Sequence, residues 1–231
     1  MNALEFIDPV PHHHELNPIL WDQNHLRKEV RHKLLEIARH FARYLDVSIL
    51  YLKDVTISGS SAGYNYSEYS DIDLHLVVNK VGHQAEFFDA KKNLYNSTHR
   101  LAIHGIPVEL YVQPADQPHH SAGIYSVLDD RWITEPVHEE PTANPKDVKS
   151  KARSYAGQIN LAMRSGDIEK CRQTMDDLRR LRRAGLESGG EQSVENLAFK
   201  LLRARGQIDR MRKYMNKLTS AGLSLGEQNE D

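Results

Sequence analysis

Two aspartates, Asp71 and Asp73, interrupt a run from Asp71 to Val78 that otherwise reads as a half-buried strand. Side chains alternate faces along a strand, so Asp71, Asp73 and His75 share one face while Ile72, Leu74 and Leu76 share the other. The two carboxylates then stand about 7 Å apart along the strand. Carboxylates are costly to bury without a partner, and two together call for a cation. Mg²⁺ fits, a hard ion that prefers carboxylate and phosphate oxygens, with Mn²⁺ as a substitute. Ten residues separate this pair from Gly59-Ser60. A glycine lets the backbone approach a ligand closely, and a turn leading toward a helix offers free N–H groups to a phosphate. The Ser60 hydroxyl adds a donor. Ser61 and Ser70, at the two ends of the following loop, complete a nucleotide-binding set of Gly59, Ser60, Ser61 and Ser70. A phosphate cradle beside a carboxylate pair makes a metal–nucleotide site.

The pattern Gly59-Ser60, ten residues, Asp71-Ile72-Asp73-Leu74 resembles the nucleotidyltransferase superfamily related to DNA polymerase beta, and in particular its small bacterial and phage-type members. That family carries a third acid on a later strand between apolar residues, and Val108-Glu109-Leu110 matches it. The resemblance covers roughly residues 50–113. It implies an α+β fold with a small mixed β-sheet and flanking helices. It implies two Mg²⁺ ions about 4 Å apart, with Asp71 and Asp73 as ligands of both. Glu109 would bind the ion that activates the acceptor hydroxyl and could take its proton. Gly59 and Ser60 would hold the β,γ-phosphates of a nucleoside triphosphate, ATP being the favoured donor. A nucleoside monophosphate would pass to an acceptor hydroxyl on RNA such as tRNA, on a protein or on a small molecule, and pyrophosphate would leave.

Three departures from the family accompany the match. Ser58 stands where the family has an apolar residue, with Ile57 one place earlier. Glu109 stands where many members have Asp. The loop carries Tyr64, Tyr66, Glu68 and Tyr69 and no basic residue, where relatives often have arginine. Phosphate charge must then be met by metal, by backbone or by a distant Lys or Arg. The tyrosines either stack on a base or pack the loop onto the strand, and packing is the simpler reading. His75 is placed to orient an acid or meet substrate, or to serve as a hydrogen-bonded strand histidine.

The positioning elements follow from pattern. The opening segment to Trp21 reads as an extended arm. Asp22 is the expected cap of a helix to about Leu45, whose stripe is Leu26, Val30, Leu34, Ile37, Phe41 and Leu45. The β-branched stretch from Val47 to Gly59 predicts a strand, and Val108–Gln113 another. Between them, Gly82 to about His104 has helical spacing. Gly123–Pro136 predicts a β-hairpin turning at Leu128–Asp130, with Tyr125 and Trp132 packing it.

From Pro145 the pattern is helical, predicting a second domain over 145–220 as a three-helix bundle. Its stripes run from Val148 to Met163, from Ile168 to Leu181 with Gly185 as terminator, and from Val194 to Leu218 without a slip. A tail over 221–231 is expected to fray. Residues 146–218 hold 18 Lys+Arg against 9 Asp+Glu, beside an acidic first part, in a chain of net charge −2. The arginines at 179, 180, 182, 183, 203, 205, 210 and 212 present either a phosphate-tracking face for RNA or a solvated bundle surface.

Hydrophobic residues at 39% fit an ordinary globular chain, and no apolar run reaches the roughly 18 residues of a membrane span. The first residues do not form a secretory signal, and a single cysteine, Cys171, fits a reducing cytoplasm and excludes a cysteine zinc cage. His12-His13-His14 and His119-His120 also argue for no metal, because neighbours on an extended chain point apart. Two other functions use the same residues: a non-catalytic nucleic-acid-binding or regulatory module, and an antitoxin-like enzyme that nucleotidylates a partner protein.

Overall fold

The computed structural model describes residues 11–47, 51–79, 85–119, 121–138, 140 and 142–224. The described residues form two compact units, 11–140 and 142–224, each with its own core.

The first unit is α+β. A two-stranded hairpin of β1 (Trp21–Asp22) and β2 (His25–Leu26) precedes helix α1 (Lys28–Tyr44). Then come β3 (Leu52–Ser58), a 3₁₀ turn (Gly59–Ala62), β4 (Ile72–Val78), α2 (Ala85–Thr98), β5 (Ala102–Ile103), β6 (Ile106–Pro114), β7 (Ile124–Ser126) and β8 (Arg131–Thr134). The last six strands make one mixed sheet in the order β5-β6-β4-β3-β7-β8. β4 and β6 are parallel, and every other pair is antiparallel. The 7–8 hairpin turns between Ser126 and Arg131, where the sequence places it.

Alternation sorts the sheet's faces. Ile72, Leu74, Leu76 and Val78 of β4 are buried while the residues between them are half-buried. The buried set joins Val55, Ile57, Val108 and Leu110 against Val30, Leu34, Ile37 and Phe41 of α1 and Phe88 and Tyr95 of α2. The Asn96 side-chain amide exchanges two hydrogen bonds with the Leu110 backbone, at 2.9 and 3.1 Å, and so closes the β6 edge.

Asp22 does not cap α1. The helix begins six residues later, with Arg27 at its N-cap and no side-chain cap bond. The 1–2 hairpin wins because it buries both Trp21 and Leu26, and the Trp21 indole N–H donates to the Ser61 carbonyl at 2.9 Å. The Trp21 ring also meets Tyr125 edge-on and stacks on Trp132, so these aromatics are packing groups. The predicted strand from Val47 begins only at Leu52, and the predicted helix to about His104 stops at Thr98 because Ala102 and Ile103 pair with β6; residues 48–50 and 82–84 lie outside the described residues.

Among its described residues the second unit has four helices rather than three: α3 (Pro145–Arg164), α4 (Ile168–Gly189), α5 (Val194–Ala204) and α6 (Gln207–Leu223). Asn144, Asp167 and Ser193 cap α3, α4 and α5 by accepting backbone N–H bonds. The seam from Val194 to Leu218 keeps its spacing, yet Gly206 divides it at φ +66. A side chain there would meet nothing within 4 Å, so the glycine is needed for its left-handed backbone. Gly185 does not end α4. It lies buried inside the helix, where a Cβ would come within 2.7 Å of Glu195 Cβ and 2.9 Å of Ser193 Oγ. Small size is what that position requires. Residues 221–223 continue α6, and those beyond 224 lie outside the described residues. No helix among the described residues is long and apolar enough to cross a membrane.

Candidate metal and nucleotide site

β3 delivers Gly59 at its end, and β4 returns antiparallel with Asp73 directly opposite Ser58. β6 then lies parallel to β4 with Glu109 as the register partner of Asp73. One oxygen each from Asp71, Asp73 and Glu109 lies within 4.8 Å of the other two. The three acids singled out in the sequence thus converge on one point, all half-buried.

Gly59 sits beside them at φ +74, where an added Cβ would come within 2.2 Å of Asp73 Oδ2. Its N–H donates to Ser121 Oγ at 3.1 Å. Ser60 and Ser70 share a hydrogen bond between their hydroxyls at 2.9 Å, and Ser70 Oγ also accepts from the Ser67 N–H. Ser61 is 0% exposed, and its hydroxyl donates to the Asp71 carbonyl at 2.6 Å. That bond ties the turn to the start of β4, so the Ser61 side chain braces the site and is not directed outward.

His75 shares the acid face but lies deeper. Its Nε2 is 3.1 Å from Ser58 Oγ, and its ring stacks on Tyr111 at 4.8 Å and meets His119 at 4.6 Å. Burial first, then His119 and Lys92, push its pKa down to about 3. The imidazole is therefore neutral near pH 7 and offers the acids no charge. Burial foremost, then the charges of Asp73 and Glu109 and a hydrogen bond with Glu109, raise the Tyr111 phenol well above its usual range. It stays protonated as a donor at the edge of the acid cluster. Lys92 of α2 places its ammonium 5.3 Å from the Tyr111 ring centroid.

Tyr111, His119, Ser121 and Lys92 were not among the sequence-predicted site residues. Tyr111 had a signal, being two residues from Glu109 on the same strand face. The other three come from distant chain segments and had none. His120 lies outside the described residues. Of the loop tyrosines, Tyr64 packs against the core, Tyr66 stacks on His13 at 3.8 Å, and Tyr69 is exposed.

No family model matches this chain, and no curated protein does. Among solved structures it is similar at 14% identity to the STING-associated CdnE c-di-GMP synthase from Capnocytophaga granulosa, over 86% of this chain and 83% of that one, with a TM-score of 0.21. At that score no common fold is shown, and a functional reading rests on the chemistry of the residues themselves.

Proposed function

We propose that the chain is a metal-dependent nucleotidyltransferase with a polymerase-beta-like site. The observation that carries the reading is the convergence of Asp71, Asp73 and Glu109 within 4.8 Å, beside a glycine where an added Cβ would displace the Asp73 carboxylate. The donor set is all carboxylate, which suits Mg²⁺, with Mn²⁺ as the alternative. Asp71, Asp73 and Glu109 would hold the ions, which supply charge neutralisation at the phosphates and a more acidic acceptor hydroxyl.

The chain's own residues have separate tasks. The Gly59-Ser60 turn and the Ser60–Ser70 hydroxyl pair bind the triphosphate of the donor, ATP being the first to try. Glu109 accepts the proton of the acceptor hydroxyl. The oxygen's lone pair forms the new bond to the α-phosphorus, and the bond to the β-phosphate oxygen breaks with its electrons leaving on pyrophosphate. Tyr111 and neutral His75 hold Glu109 and Ser58 in place.

RNA is the acceptor class that the basic helices favour. Arg179, Arg180 and Arg212 are exposed and pair with Asp176, Asp177 and Asp209 one turn away. Such surface pairs contribute about 0.3–0.5 kcal/mol, weak enough to exchange for phosphate.

Each α-labelled nucleoside triphosphate, incubated with Mg²⁺, protein and a pool of RNA, protein and small-molecule acceptors, tests the proposal. Label should appear on one acceptor class, and vanish with EDTA and in Asp71→Asn/Asp73→Asn. No label on any acceptor with the wild-type chain would overturn the enzyme reading.

A further inference from the structure

We propose a second metal site, for a zinc-class divalent cation, formed by His12, His138 and Glu140. One ligand atom from each lies within 4.8 Å of the other two. The His12 and His138 rings are 4.6 Å apart and inclined at 67°, so they are tilted toward one another and not stacked. His12 Nε2 is buried and has no hydrogen-bond partner among the described residues. A buried nitrogen left unpaired is costly, and a metal bond would supply its partner.

Ligand chemistry separates this site from the acids. Two imidazoles and a carboxylate suit Zn²⁺, with water in a fourth position, whereas three carboxylates suit Mg²⁺. Neighbouring histidines do point apart on the arm, as the sequence predicts. His13 turns instead to the tyrosine loop, where Nε2 is 3.0 Å from the Tyr66 carbonyl oxygen. The missing ligands arrive from the segment after β8.

The site therefore joins two distant segments across the loop between them. The His13 N–H donates to the Tyr64 carbonyl at 2.8 Å, and the Tyr64 ring lies 4.9 Å from that of His138. A bound cation fastens residue 12 to residues 138 and 140 and fixes the loop that links Gly59–Ala62 to Asp71. It is a clasp and takes no part in chemistry on substrate.

The test uses the full chain without an affinity tag, stripped of metal by chelation. Titration with Co²⁺ should give a visible ligand-field band that saturates at one equivalent and is displaced by Zn²⁺. The band should persist in Asp71→Asn/Asp73→Asn and disappear in His138→Ala and in Glu140→Gln. Both of those side chains are exposed, so the fold survives their loss. Zn²⁺ should raise the melting temperature of the wild type and leave that of His138→Ala unchanged. Trypsin should cut near Arg131 more slowly with Zn²⁺ bound. A band retained in His138→Ala, or one lost with the aspartates instead, would overturn the proposal.

Discussion

Asp73 and Glu109 are register partners on the parallel strands β4 and β6, so two carboxylates from distant parts of the chain face the same way side by side. Like charges so placed are held by the sheet and not by mutual attraction. A cation relieves their repulsion, and removing one acid should relieve it too. Asp73→Asn should therefore lose at least about 10²-fold in nucleotidyl transfer, from several kcal/mol of lost charge stabilisation. It should also melt no lower than the wild type in EDTA. Label transfer and calorimetry on the same preparations read both. A variant that unfolds in EDTA would show that Asp73 serves the fold.

Gly59→Ala should lose both stability and activity. Its left-handed φ costs an alanine about 1–2 kcal/mol, and the 2.2 Å approach to Asp73 Oδ2 displaces that carboxylate. Melting should fall by about 2–8 °C. Activity should fall further than the unfolded fraction explains, measured well below the melting temperature.

The two conspicuous glycines of the helical unit should respond differently to asparagine. Gly206→Asn should be nearly neutral, because asparagine tolerates the left-handed region and the position opens onto space. Gly185→Asn should destabilise by roughly 2 kcal/mol or more, since its side chain must displace Glu195 and Ser193. Urea denaturation of both variants checks the contrast.

Asp54 gives a pH dependence. Burial raises its carboxyl above the ordinary value, against hydrogen bonds from Ser126 and the Val55 N–H. A raised folded-state pKa means the protonated acid is the form the fold prefers. Its stabilisation is complete below the unfolded pKa of about 3.9 and is lost as pH rises through the folded value. Asp54→Asn keeps the acceptor oxygen and removes the charge. It should be more stable than wild type at pH 7, and the gap should close by pH 3. Paired melts across that range measure it.

Local pattern revealed the sheet's buried face, the acid face of β4, the Gly-Ser turn and most helix stripes, because alternation and the 3.6-residue period are set by each segment's own burial. What stayed hidden depended on partners far along the chain. The 1–2 hairpin forms because Trp21 reaches Ser61. Gly185 reads as a terminator until Ser193 and Glu195 pack on it. Gly206 breaks a stripe whose spacing never slips, since one left-handed residue can turn the chain without changing which positions face inward. His119, Ser121 and Lys92 meet the site only through the tertiary fold. The histidine arm is the sharpest case: the ligands that would complete it lie beyond β8.

The parallel pairing of β4 with β6 also makes the site depend on a long-range contact. Parallel neighbours need a crossover, here carried by α2, and such non-local contacts make folding slower. A nascent chain presents Asp71 and Asp73 before Glu109 has been synthesised, and even a released chain gathers the third acid only when the sheet closes. Until β6 pairs with β4, Asp71 and Asp73 are without their third acid. In the proposed enzyme, transfer therefore depends on the β4–β6 pairing as well as on the three acids themselves.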